Sequence, residues 1–130
     1  MITETIHTSS RALRLGLATL AAAVANTVIA LIAARLDDGG VAMGLSPAIY
    51  LPATVVGIVA GTLGWTLIAR RAPKALRVVV PAALALTWIP DVLLLTLGAT
   101  IANVVGLMLM HLVVATAVVT ALRTEIQARA

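Results

Sequence analysis

The chain has 130 residues, 62% of them hydrophobic and 11% charged, against roughly 45–50% and 25% in a water-soluble domain, which excludes an ordinary soluble fold. Nine Lys and Arg stand against five Asp and Glu, but the basic residues gather at the ends of apolar runs, a membrane pattern and not a nucleic-acid-binding stripe. No cysteine is present, so disulfides, thiolate metal sites and cysteine nucleophiles are excluded.

Met1 to Ser10 is polar and without period, a short tail. Leu15 to Ala34 is a run of 20 residues without a charge, between Arg11 and Arg14 on one side and Arg35, Asp37 and Asp38 on the other. At about 1.5 Å per residue such a run matches a hydrocarbon core of roughly 30 Å. It exceeds the apolar part of a secretory signal, about 7–15 residues, and is read as a retained first span over 12–36. The acidic and glycine-rich stretch from Asp37 to Leu45 is a turn, after which Ser46-Pro47 supplies an N-cap and a proline at the first helical position. The second span, 47–69, is 23 residues without a charge and halts in Arg70-Arg71-Ala72-Pro73-Lys74. The third, about 77–98, holds one charge, Asp91. Gly98 and Thr100 read as a helix stop and a fresh N-cap, so the turn into the fourth span, 100–122, is tight. The tail from Arg123 is again polar and basic.

Arg11, Arg14, Arg70, Arg71, Lys74, Arg77, Arg123 and Arg129 fall on one side of these spans and only Arg35 on the other. Eight against one predicts that both termini are cytoplasmic. The expected architecture is all-α: a single four-span transmembrane domain over residues 1–130, a four-helix bundle in contact with the lipid bilayer, multi-pass in the cell's inner (cytoplasmic) membrane. No alternation of period two supports a barrel, and no internal repeat is visible.

Asp91 is the most informative residue, because an acid at membrane depth costs roughly 2.5–3.5 kcal/mol on insertion scales and is rarely left facing lipid. Pro90 beside it removes a helical donor from the carbonyl of Leu86 and predicts a kink at that depth. Thr87 and Trp88, four and three residues earlier, share its helical face. His111 is close to the middle of the fourth span. Helical rise places Asp91 roughly 12 Å and His111 roughly 17 Å below the outer ends of their helices, so the two can meet across an antiparallel pair. Asn26 falls at a similar level, and Tyr50 and Asn103 lie nearer the outer surface.

Asp91 and His111 are thus the candidate catalytic or proton-handling pair, with Asn26, Tyr50, Thr87, Trp88 and Asn103 as candidate ligand contacts. The structural alternative is that Asp91, His111 and Asn26 hydrogen-bond one another or backbone to fix helix order. Met108 and His111 offer thioether and imidazole donors suited to Cu(I), but methionine is far more often a core gap-filler, and no metal is assigned. Trp65 and Tyr50, near opposite ends of the second span, read as interfacial anchors, and Trp88 as lining the Asp91 pocket. Gly57 and Gly61 have a spacing that lets another helix approach closely, within the chain or across a subunit interface. No phosphate loop, G-x-S-x-G or H-E-x-x-H motif occurs, so no cofactor is implied.

Gly64-Trp65 before the basic loop, Trp88-Ile89-Pro90-Asp91 and Leu109-Met110-His111-Leu112 resemble a group of small four-span membrane proteins, mostly actinobacterial, grouped as a domain of unknown function. The likeness covers about two-thirds of the chain. It implies the four-span fold and carries no activity with it.

Two functions compete from the residues. One is a homo-oligomeric protein whose Asp91/His111 site serves transport or binding of a small ligand or proton. The other is an integral-membrane enzyme of isomerase or cyclase type, acting on an apolar small molecule with Asp91 as general acid or base. An accessory protein without chemistry is a third reading.

Overall fold

The computed structural model describes residues 2–128, and the side chains of all of these except residues 5–9. Arg129, part of the basic count, lies outside the described residues. Four helices, long and apolar enough to cross a membrane, account for most of the fold: α1 (Ile2–Leu36), α2 (Pro47–Arg71), α3 (Leu76–Leu93) and α4 (Ile101–Gln127). There is no strand among the described residues. Helix α1 begins well before its apolar run and carries Arg11 and Arg14 within it, because the hydrocarbon boundary sets where charges stop, not where backbone hydrogen bonding stops.

The turns obey local chemistry. Ser46 has the extended N-cap backbone before Pro47, although its hydroxyl makes no capping bond. A single 3-10 turn at Pro73–Ala75 leads into α3. Helix α3 runs through Pro81 and Pro90 and then tightens into a second 3-10 turn at Leu94–Leu97. Gly98, at φ +90, ends it in the left-handed conformation that a residue without Cβ adopts most readily. Thr100 then caps α4 by accepting the backbone N–H of Asn103 at 3.2 Å.

Helix α4 is the hub: α1, α2 and α3 all pack against it, whereas α2 and α3 hardly touch. Burial says the same, since 28% of the most apolar stretch of α4 is buried inside the protein and only 6% of that of α3. The remaining apolar surface is large and outward-facing, Leu31 being 64% exposed and Leu86 65%, which is tenable against lipid and untenable against water. Small residues set the helix spacing. A Cβ built on Gly106 would stand 2.7 Å from the Cβ of Ala33, so α1 and α4 meet nearly backbone to backbone there. On the opposite flank, a Cβ on Gly57 or Gly61 would stand 3.0 Å from Val114 or Val118 respectively. The two glycines therefore serve the α2–α4 contact inside the chain.

Two apolar clusters form the interior. One, toward the end of the bundle that carries the termini, centres on Trp65, Leu76, Val118 and Leu122, the other, toward the α1–α2 loop, on Ala30, Ala33, Tyr50 and Met110. Trp65 and Tyr50 are thus buried core residues and not the interfacial anchors expected from their positions. Each is near a helix end yet turned toward the protein, a distinction that depth alone does not make.

Candidate functional site

The acid on α3 and the imidazole on α4 are brought together: Asp91 Oδ2 lies 2.7 Å from His111 Nδ1. The two ends of this contact differ in burial, the Asp91 side chain being 8% exposed and that of His111 39%. Asp91 sits behind, against the protein, and His111 in front. Nδ1 and Nε2 lie on different edges of the ring, so engaging Nδ1 with the carboxylate leaves Nε2 as the outward nitrogen. Nε2 has no hydrogen-bond partner among the described residues. A carboxylate that orients an imidazole by one nitrogen and frees the other is the arrangement needed for hydrogen bonding or proton exchange with a third group.

His111 faces two cavities. One is a cleft of about 390 Å³ between α2 and α3, floored by α4 and lined almost wholly by apolar side chains, with Thr87 and His111 at one end and Trp65 and Leu76 at the other. Because α3 climbs from Leu76 to Thr87 along its wall, the cleft is about 16 Å long by helical rise. Gly64 contributes open space to it, since a Cβ there would meet nothing within 4 Å. The second cavity is a recess of about 120 Å³ between α2 and α4, where His111 is joined by Asn26, Tyr50 and Thr54.

Around that recess runs a polar chain. Asn26 Nδ2 donates to Thr54 Oγ1 at 2.8 Å, Thr54 donates to the carbonyl of Tyr50 at 2.7 Å, and the Tyr50 hydroxyl donates to Thr27 Oγ1 at 3.2 Å. Asn26 Oδ1 is buried without a partner among the described residues. Asn26 therefore borders the same recess as His111 without bonding to Asp91 or His111.

The other sequence candidates divide. Thr87 lines the cleft, its hydroxyl donating to the carbonyl of Leu84 in its own helix at 2.6 Å. The indole N–H of Trp88 crosses to α4 and donates to the carbonyl of Met108 at 3.1 Å; it fastens the helix pair one turn from Asp91. Asn103 is away from the site. With its amide in the orientation that gives both atoms partners, it donates to the carbonyl of Met43 at 2.8 Å and accepts the N–H of Met43 at 2.7 Å, clasping the α1–α2 loop.

Asp37 is the residue that sequence reading undervalued. Taken as a turn acid, it is buried and holds the α1–α2 loop together, accepting the N–H of Ala42 at 2.7 Å and the hydroxyl of Thr100. Only its spacing from a glycine pair hinted at a structural role. At the opposite end of the bundle, Arg11 and Arg14 converge on Glu125 at 3.3 and 3.4 Å. A metal ion bound by Asp91 and His111 would need a third donor, and no group of three His, Cys, Asp or Glu side chains comes together among the described residues.

Four helices fit to cross a bilayer, three of them packed on the fourth, with an acid–imidazole pair between α3 and α4, define a multi-pass membrane protein. The chain belongs to the family of unknown function DUF6069, whose family model matches residues 7–128. Neither a curated protein nor a solved structure matches it.

Proposed function

We propose that this protein binds an elongated, largely apolar small molecule taken from the bilayer, in the cleft between α2 and α3, with His111 meeting a polar or reactive group on it. The observation that carries this reading is the joining of one apolar cleft, about 390 Å³, to an imidazole held by Asp91 with Nε2 unengaged. Ligand sites generally combine an apolar lining with few convergent polar groups. A proton or ion conduit fits less well, because below His111 the cleft is walled by Val114, Ala115, Val118 and Val119 and offers no relay of titratable side chains. The enzymatic alternative keeps the same ligand and site: His111 moves the proton of an isomerisation or cyclisation and Asp91 orients its ring. The basic ends of the helices face the cytoplasm in this proposal, following the distribution of Lys and Arg.

The test fills the cleft. Gly64→Leu projects a side chain into open space without displacing a neighbouring helix. Protein extracted in mild detergent should carry a copurifying apolar molecule detectable by mass spectrometry in wild type and lose most of it in Gly64→Leu. Equal retention in both would remove the cleft from the reading.

A further inference from the structure

At its Trp65 end the cleft has a neighbour. Trp65 lines it and also lines a third cavity, of about 260 Å³, at the end of the bundle where Arg11, Arg70 and Glu125 gather. The charges there are unbalanced. Glu125 is already held by Arg11 and Arg14, and Arg11 also donates to Thr66 Oγ1 at 2.6 Å, while Arg70 has no ion pair among the described residues. Arg11, Arg14 and Arg70 thus stand against one carboxylate at this end, and Arg71, the last residue of α2, and Lys74, in the 3-10 turn, follow. A polar, cationic chamber that shares one tryptophan as a wall with an apolar groove about 16 Å long offers the two polarities of an anionic amphiphile.

We infer that the occupant of the cleft is a phosphate-headed membrane lipid, its phosphate at Arg70 and Arg11 and one of its chains running past Trp65 toward His111. This rests on the reading of the cleft as a ligand site and adds the class of ligand. Arg70 supplies the unpaired charge and Arg11 a second guanidinium already oriented by Glu125 and Thr66. Guanidinium groups suit phosphate because their N–H donors match its oxygens in pairs. The chain then delivers its distal part to His111, so any chemistry at this site falls on the chain and not on the head.

The experiment is lipid retention by delipidated full-length protein, read by native mass spectrometry. The probes are phosphatidylglycerol and phosphatidylcholine of identical acyl chains, the uncharged diacylglycerol, and glycerol phosphate alone. Phosphatidylglycerol should be retained over phosphatidylcholine. Arg70→Gln should reduce that preference about fivefold, the worth of one basic residue against an anionic lipid, and Arg70→Lys should restore most of it. Gly64→Leu should lower retention of every chain-bearing probe. Equal retention of the two phospholipids by wild type, or an unchanged preference in Arg70→Gln, overturns the phosphate head while the cleft reading stands on the Gly64→Leu result. Retention of phosphatidylglycerol that persists undiminished in Gly64→Leu overturns the chain in the cleft and with it the proposed function. Glycerol phosphate bound as well as phosphatidylglycerol makes the chamber a free-anion site and overturns the lipid.

Discussion

The contact between Asp91 and His111 can be weighed with a cycle of Asp91→Leu, His111→Leu and the double variant. Polar contacts between transmembrane helices average about 0.6 kcal/mol in such cycles, with a maximum near 1.7. The separation of 2.7 Å falls at the short end of the range for charge-assisted bonds, which places this pair near the upper limit, about 1.5 kcal/mol. The single variants should differ because the partners differ in burial, 8% against 39%. His111→Leu strands a buried carboxyl and costs the more, about 2–3 kcal/mol. Asp91→Leu leaves an imidazole that borders a cleft, and costs about 1 kcal/mol. The double variant loses the bond but also removes the acid from the membrane interior, so it should be more stable than His111→Leu alone. Reversible unfolding in mild-detergent micelles titrated with dodecyl sulfate provides the measurement, followed by the fluorescence of the two tryptophans, of which Trp88 spans the same helix pair. A coupling below about 0.3 kcal/mol, the level expected of independent sites, or a double variant less stable than both singles, would refute the view that this pair holds α3 to α4.

Two further predictions concern packing and orientation. Gly106→Ala should be less stable than Gly64→Ala by about 1–3 kcal/mol, because the first added methyl meets Ala33 at 2.7 Å and the second meets nothing within 4 Å, while the helix-propensity gain is common to both; equal stability in the same unfolding assay would contradict the close approach of α1 and α4. Single cysteines at Lys74 and Asp38, in a chain that has none of its own, should be shielded from and open to an impermeant thiol reagent respectively in intact cells, and the reverse pattern would invert the proposed orientation. Asp38 serves as the probe on that side because an added Cβ at its neighbour Gly40 would overlap the Asp37 carboxylate.

Much of this was written in run length. Uncharged stretches long enough to cross a bilayer marked the four helices, and helical rise set Asp91 and His111 at neighbouring depths on α3 and α4, where the structure has them in contact. Depth along a helix is a one-dimensional quantity, and what sequence reading missed is angular. Asn26 shares the level of His111 but turns toward Thr54, and Tyr50 and Trp65 sit near helix ends but turn inward. With apolar residues on every face, no amphipathic stripe told inside from outside. The glycine spacing on α2 foretold a close helix without naming it, and the partner is α4 through Val114 and Val118. Asp37 was hidden for another reason: its partner Thr100 is 63 residues away in the chain, beyond the reach of any local rule.

The helix on which the other three pack is also the last of the four to be made. At about 5–20 residues per second, the 27 residues of α4 take roughly 1–5 s to emerge, and during that interval α3 is in or beside the insertion machinery with Asp91 lacking its imidazole. The half-made protein is then a set of apolar helices with an unsatisfied acid, the kind of species that membrane proteases and insertases recognise. A variant that weakens the capture of α4 should accordingly be lost during biosynthesis, by degradation, in greater measure than its effect on the finished fold would suggest. Abundance in cells would then respond to changes on α4 more steeply than to equal changes on α3, of whose most apolar stretch only 6% is buried inside the protein.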